Sequence, residues 1–473
     1  MLEAHRWLSI IPPVFAIILA IKTRQVYISL FLGILMGTTI LKNGNPLTGL
    51  REAIEVCVRV FENNSNTKVI IFSALIGAII AFTQRSGGVN GFVNFMTERK
   101  FINTRKGAEL LAFIIGCVIF IESSITSLIA GTISRPLFDK FKIPREKLAY
   151  ICDSTSAPIC SLIPINAWGA FLLTLLENQE IKNPVQEFLK AVPLNFYSIF
   201  AVLIVLFTII TRKDFGPMKK AEKRAEIEGK VLRDGAVPMV SREISELKAK
   251  ESIKYKSINL VIPVVVMIGM MFVSLLITGN GNLTSGSGST SVLWSVLTAL
   301  FVAAVMYKVQ KIMSIQEIIE LFFRGVGGII SIAFLMVFAF AIGNICNRMG
   351  TGPYIAEITK DILNPIFLPC ILFLVTCFIA FSTGTSWGTW AIMFPIGIGI
   401  AKTLNLNLTP LIAAMLGGGV FGDHCSPISD TTIVASIASA SDHIDHVNTQ
   451  LPYAITSASI SIVLYIIIGI IFY

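Results

Sequence analysis

Charge is what this sequence has least of: Asp, Glu, Lys and Arg make up 14% of 473 residues, against 54% hydrophobic. Long polar stretches are equally scarce, and apolar runs recur from Leu8 to the last three residues, Ile471-Phe472-Tyr473. A soluble chain of this length would divide into two or three domains; this composition instead predicts an all-α polytopic membrane protein, one body with two halves. The eight cysteines include no CxxC pair and lie mostly within apolar runs, so they imply neither a disulfide frame nor a metal knuckle. No Walker motif, dinucleotide fingerprint or nucleophile elbow stands in a usable context, which argues against ATP-driven transport, and nothing points to a nucleic-acid partner. The first apolar run, Trp7 to Ile21, lacks a small-residue cleavage site and is followed at once by a second. It reads as a retained helix and not as a signal peptide.

The net charge of +9 is concentrated in one place. Between Thr211 and Ser257 there are thirteen Lys or Arg against eight Asp or Glu, in the only long polar segment of the chain. The positive-inside rule makes residues 212–257 a cytoplasmic linker, and the simplest reading of its charges is a solvated segment with some helix. Counting back from this anchor, residues 1–211 form a first transmembrane half with spans near 7–22, 26–42, 67–85 and 186–211. The stretch from Leu110 to Leu137 is basic at both ends, with Arg105 and Lys106 before it and Lys140 and Lys142 after it. Both ends therefore face the same side. Its length gives roughly 42 Å of helix, too little for two crossings of a ~30 Å core, so a re-entrant hairpin at about 105–140 is expected, followed by a broken helix at about 145–175. Residues 258–473 repeat the plan with spans near 258–278, 291–308 and 326–346, a hairpin at about 363–402, a broken helix at about 409–440 and a closing helix at 452–473. Both termini then lie outside. The two halves run in opposite orientation, the inverted-repeat plan of secondary transporters, with a binding site expected where the repeats meet.

Residue spacing supports the duplication. Ser127 precedes Pro136 by nine positions, and Ser386 precedes Pro395 by the same nine. Each hairpin is followed by a polar patch ending in proline: Asp153-Ser154-Thr155-Ser156-Ala157-Pro158 in the first half, Gly422-Asp423-His424-Cys425-Ser426-Pro427 in the second. A carboxylate near the bilayer centre costs roughly 2.5–3.5 kcal/mol on insertion scales, and proline removes a backbone donor where hydrocarbon offers no replacement. Such patches must sit inside protein or a wet cavity.

The run Gly422-Asp423-His424-Cys425-Ser426-Pro427-Ile428-Ser429-Asp430-Thr431-Thr432, with Arg135-Pro136, Arg145-Glu146-Lys147-Leu148-Ala149-Tyr150 and the Asp153–Pro158 patch, resembles the NhaC sodium/proton antiporter family of bacteria, within the ion-transporter superfamily. The resemblance extends over nearly the whole chain. It implies a multi-pass protein of the bacterial plasma membrane, homodimeric in the manner of such exchangers, that moves sodium one way and protons the other. Many relatives carry a run of acidic residues at the first hairpin tip, whereas here only Glu122 remains, followed by Ser123 and Ser124. Because some members similar to this family exchange carboxylates or take up amino acids, an organic substrate stays open.

Sodium is a hard cation, held by neutral and anionic oxygens, and unwound carbonyls beside helix breaks suit it. The candidate oxygens are the hydroxyls of Thr126, Ser127, Ser154 and Ser156 in the first half and of Thr385, Ser386, Ser426 and Thr431 in the second. Each of them could equally satisfy backbone beside a break. Proton exchange further needs a carboxylate for which protons and sodium compete, and Asp423, Asp430, Asp153 and Glu122 are the candidates. Asp423 has a structural alternative, capping a freed half-helix. His424 is expected to hydrogen-bond within the break or to relay protons; no ligand spacing supports zinc, and no cofactor beyond transported sodium and protons is expected. Arg135 reads as an interface anchor or a partner for a substrate carboxylate. His443 and His446, three positions apart near the cytoplasmic end, read as an ordinary solvated helix end before a pH sensor. Trp168, Trp387 and Trp390 read as packing before substrate stacking.

Overall fold

The computed structural model describes residues 6–23, 25–98, 104–120, 123–238, 253–283, 286–359, 364–427 and 429–473. These residues are overwhelmingly helical, with one isolated β-bridge, Pro238 to Asp442. Seven helical runs among them are long and apolar enough to cross a membrane, eight if a bent one is counted, so the chain is a multi-pass membrane protein.

The first half opens with α1 (Ile11–Thr23), α2 (Val26–Leu41), α3 (Pro46–Arg59), α4 (Asn64–Arg85) and α5 (Gly88–Glu98). Helix α3 escapes hydropathy because it is amphipathic: Gly49, Ala53 and Val56 are buried while Arg51, Glu55 and Arg59 keep its polar side wet. The Asn45 side chain starts it, accepting from the Leu47 and Thr48 amides, with Pro46 at the first turn. A helical hairpin follows, α6 (Arg105–Val118) and α7 (Ser123–Lys140). At 14 residues α6 is about 21 Å long, short of a full crossing. The broken helix is interrupted twice, giving α8 (Arg145–Ser154), α9 (Ala157–Leu162) and α10 (Ala167–Asn178). The second interruption, at 163–166, is closed by Asn166, which donates to the Cys160 carbonyl at 2.9 Å and accepts from the Gly169 amide at 2.9 Å. The span expected at 186–211 is two helices, α11 (Pro184–Ala191) and α12 (Phe196–Thr211), because Asn195 caps a fresh start.

After α13 (Gly216–Glu228), the second half contains α14 (Ile258–Thr278), α15 (Gly288–Val309) and α16 (Ile315–Met349), the last bent by 42° between Gly328 and Ala333. Then come α17 (Thr351–Thr359), a hairpin of α18 (Leu368–Thr383) and α19 (Ser386–Thr403), and a helix broken once, α20 (Leu408–Cys425) and α21 (Asp430–Ser439). The chain closes on α22 (His443–Phe472), which begins nine residues before the expected Pro452 because Asp442 caps it through the Ile444 and Asp445 amides. Pro452 lies inside the helix. The order hairpin, broken helix, closing helix therefore occurs in both halves. Their unequal proline spacing, 22 against 32 residues, arises mainly because α20 has 18 residues and α8 only 10.

The described part of the 212–257 linker is not simply solvated. Met218, Ala221 and Ala225 of α13 are buried, and the segment is pinned to the bundle by ion pairs. Arg224 pairs with Glu146 of α8 at 3.0 Å, Arg233 with Asp445 of α22 at 2.9 Å, and Glu222 with Arg105 of α6. Asp214 accepts from Lys147 at 2.6 Å and from the Tyr453 hydroxyl at 2.7 Å. The basic composition of this segment is thus partly spent on carboxylates at one end of the bundle, which hydropathy alone does not reveal.

Candidate functional site

Two buried apolar clusters form the interior. One gathers α1–α4, α9–α11, α15, α16 and α18–α20; the other gathers α5–α8 and α21 with Met218 of α13, while α12, α14 and α22 run through both. Both helix breaks fall on the boundary between them, since α8 and α9 belong to different clusters and so do α20 and α21. The polar residues that each break exposes are therefore collected into one layer between two dry bodies, where every donor and acceptor must find a protein partner or a ligand.

In the second half the layer is organised around Asp423, which is 1% exposed. The helix ends because Pro427 has no amide hydrogen and Ser426 turns the chain, its amide bonding the Gly422 carbonyl at 3.0 Å. Ser386, the first residue of α19 at the hairpin tip, donates to Asp423 Oδ2 at 2.7 Å. Ser429 stands at the N-cap position of α21 but caps no amide; its hydroxyl donates instead to Asp423 Oδ1. Thr431 reaches the same oxygen at 3.4 Å, and Thr432 bonds the Asp423 carbonyl at 3.1 Å. Hairpin, α20 and α21 thus converge on one carboxylate. Gly422 makes this convergence sterically feasible, because a Cβ there would lie 2.1 Å from the Phe381 amide nitrogen of α18. The Ser426 hydroxyl fastens the same contact, donating to the Phe381 carbonyl at 2.6 Å.

In the first half Asp153 is fully buried at the end of α8. Its Oδ2 accepts from Gln450 Nε2 at 2.7 Å and lies 3.4 Å from His446 Nε2, both on α22. Gln450 Nε2 also donates to the His424 carbonyl. His424 bridges the halves: its Nε2 is 2.8 Å from Ser154 Oγ and its Nδ1 2.7 Å from the Tyr197 hydroxyl on α12. A neutral imidazole donates through one nitrogen and accepts through the other, and both hydroxyl partners can serve either role. Backbone and side-chain contacts together consequently link the two breaks, from Asp423 through its chain neighbour His424, whose carbonyl holds Gln450, to Asp153.

The predicted residues divide accordingly. Asp423, Ser386 and Thr431 form one group, and Asp153, Ser154 and His424 another. Both carboxylate oxygens of Asp423 receive hydroxyls. The hydroxyls of Ser426, Thr126, Ser127 and Ser156 donate to backbone carbonyls: Ser426 to Phe381 at 2.6 Å, Thr126 to Ile119, Ser127 to Cys152 at 3.4 Å, and Ser156 to Asp153 at 2.9 Å. Thr385 is half-buried immediately before α19. Asp430 opens α21, but its side chain, like all of Glu122, lies outside the described residues. Arg135 is half-buried on α7 and forms no ion pair among the described residues. The three tryptophans pack on one another, with Trp168 5.4 Å from Trp390 and 5.8 Å from Trp387 between ring centroids.

Sequence reasoning missed Tyr197, Ser429, Thr432, His446 and Gln450. The reading of His446 as solvated is corrected outright, since it is fully buried against Asp153. A signal existed: His446 and Gln450 are four residues apart, on one face of a helix that then runs on through apolar sequence. The remaining histidine of that pair, His443, is half-buried, with Nε2 2.7 Å from the Pro427 carbonyl and Nδ1 3.0 Å from Ser436 Oγ.

The model of the Na+/H+ antiporter family matches residues 6–183 and 174–470. An uncharacterized protein of Haemophilus influenzae is 34% identical over 485 residues, covering 98% of this chain and 90% of its own length. The malate-2H+/Na+-lactate antiporter of Bacillus subtilis is 30% identical over 120 residues, 25% of this chain and 26% of that protein. Among solved structures, the YdaH transporter of Alcanivorax borkumensis superposes with a TM-score of 0.62 at 15% identity, covering 94% of this chain and 97% of the other. That likeness is one of fold.

Proposed function

The chain belongs to the Na+/H+ antiporter family, and we propose that it exchanges sodium for protons across the bacterial inner membrane at a site built on Asp423. The observation that carries this reading is the 2.7 Å bond from Ser386, at the tip of the second hairpin, to the Asp423 carboxylate at the second break. One anionic oxygen pair with the hydroxyls of Ser386, Ser429 and Thr431 is a hard ligand set of the kind sodium takes, and the C-terminal carbonyls of α20 favour a cation beside it. A carboxylate that holds either a proton or sodium, but not both, couples the two fluxes. The ligands come from three segments, so movement of the hairpin α18–α19 against α21 dismantles the site and releases the ion.

The two halves are read as inverted repeats with re-entrant hairpins, the linker as cytoplasmic by its excess of basic residues, and both termini as external. A pair of chains is expected in the membrane. A second reading, exchange of a small organic solute, has one observation in its favour. A polar cavity of about 590 Å³ between α3, α4, α10, α16 and α19 is lined by Arg59, Glu62, Glu177, Asn344, Asn347 and Arg348, with charges of both signs that suit a carboxylate or an amino acid. The name of the Bacillus subtilis relative points the same way.

Purified protein in proteoliposomes carrying a pH-sensitive dye tests both readings. Sodium alone should collapse an imposed pH gradient, and Asp423→Asn should reduce that response to the level of empty vesicles. A response that needs malate or lactate supports the second reading, and an undiminished response from Asp423→Asn removes Asp423 from the coupling step.

A further inference from the structure

Three side chains in direct contact at the first break each leave one polar atom without a partner: Asp153 Oδ1, Gln450 Oε1 and His446 Nδ1. All three residues are fully buried. The orientation of the Gln450 amide is set by its bonds, because Nε2 faces two acceptors, Asp153 Oδ2 and the His424 carbonyl, so the other amide atom is the oxygen. Two of the orphaned atoms are therefore acceptors, a carboxylate oxygen and an amide oxygen, joined through a 2.7 Å hydrogen bond between their own side chains. A buried polar group left without a partner is destabilising, and more so when it is charged. Asp153 also lacks a permanent countercharge: among the described residues its only ionic neighbour is the His446 imidazole at 3.4 Å, while Lys147, on the same helix, is committed to Asp214 at 2.6 Å.

A buried carboxylate with a free oxygen, hydrogen-bonded to a side chain that carries a free amide oxygen, and with no Lys or Arg paired to it among the described residues, is a chemical description of a place for a cation. We infer that Asp153 and Gln450 form a second monovalent-cation site, distinct from the one at Asp423 and coupled to it through His424. Oxygen donors and the absence of thiolate make it hard, suited to sodium. The coupling is physical: the Gln450 amide that would present Oε1 to the ion simultaneously holds the carbonyl of His424, the residue next to Asp423. An ion that draws Gln450 toward Asp153 pulls on the end of α20. This inference rests on the sodium reading of the family site and adds to it a second ion and a residue, Gln450, with a named role.

The test is the number of sodium ions bound per chain, measured with radioactive sodium by equilibrium dialysis on the intact detergent-purified protein. Two ions are expected for the unmodified chain, one for Asp423→Asn and one for Gln450→Leu, which keeps the volume but removes the amide oxygen. Asp153→Asn, which removes the charge and leaves the Gln450 amide in place, provides a second route to the same loss should the leucine variant fold poorly. A single ion in the unmodified chain, lost in Asp423→Asn and kept in Gln450→Leu, overturns the second site and means that the orphaned atoms are met by water. That outcome leaves the exchanger reading intact. No sodium bound to the unmodified chain overturns both.

Discussion

Asp423 and Asp153 occupy matching places beside the two helix breaks, yet they keep different company. Asp423 receives hydroxyls from Ser386, Ser429 and Thr431, all from its own half of the chain, and both of its oxygens are engaged. Asp153 receives one amide and one imidazole, both from α22 in the other half, and one of its oxygens is free. The two breaks present two carboxylates in similar backbone settings. The neighbouring helices make one a self-contained hydroxyl cage and the other a junction between halves. A position beside a helix break therefore predicts that a residue will be buried and polar, whereas its partners decide what it can bind.

The largest effect should come from exchanging the two carboxylates for amides. Asp423→Asn is expected to reduce sodium-driven proton movement to background, while Asp153→Asn retains exchange with the apparent sodium constant raised roughly tenfold, the equivalent of about 1.4 kcal/mol. Flux in proteoliposomes reads both. Equal loss in the two variants would mean that the carboxylates act as one unit and that the asymmetry is only geometric.

Next in size is the steric comparison. Gly422 faces backbone, with a Cβ 2.1 Å from the Phe381 nitrogen, whereas Gly116 faces the Thr155 side chain, with a Cβ 1.9 Å from Oγ1. Backbone cannot turn aside, so Gly422→Ala should lose more stability than Gly116→Ala, by upwards of about 1–3 kcal/mol for the overpacked site. Thermal unfolding in detergent measures the gap, and the reverse order would show that the second hairpin yields more readily than the first.

The smallest contrast is between the two serines that precede a hairpin proline by nine positions. Ser386→Ala removes a hydroxyl from Asp423 and should raise the sodium constant about five- to tenfold, from a loss of ~1–1.5 kcal/mol. Ser127→Ala removes only a 3.4 Å contact to the Cys152 carbonyl and should leave that constant within about twofold. A matched shift in both would restore functional symmetry to the hairpins.

Much of this was legible in one dimension. Apolar runs separated by basic flanks specified membrane helices, since a helix is the one open-chain element that satisfies its own backbone in hydrocarbon. Proline beside carboxylates and hydroxyls located both breaks, and short apolar stretches with like-charged ends located the first hairpin. Local signals weaker than hydropathy were harder to read: the amphipathic α3, the Asn195 cap that splits α11 from α12, and the Asp442 cap that starts α22 early are all set by a few polar atoms within a turn.

The sequence by itself determined the kind of protein, the places where its helices break and the residue types exposed there. Only the tertiary structure decided which of those residues meet. Ser386 and Asp423 are 37 positions apart and His446 and Asp153 are 293, separations over which no helical period carries information. Those pairings follow from how two apolar clusters pack and leave a single polar layer between them, and within that layer each donor takes the acceptor that packing brings within reach, because no water of the hydrocarbon region can satisfy it instead.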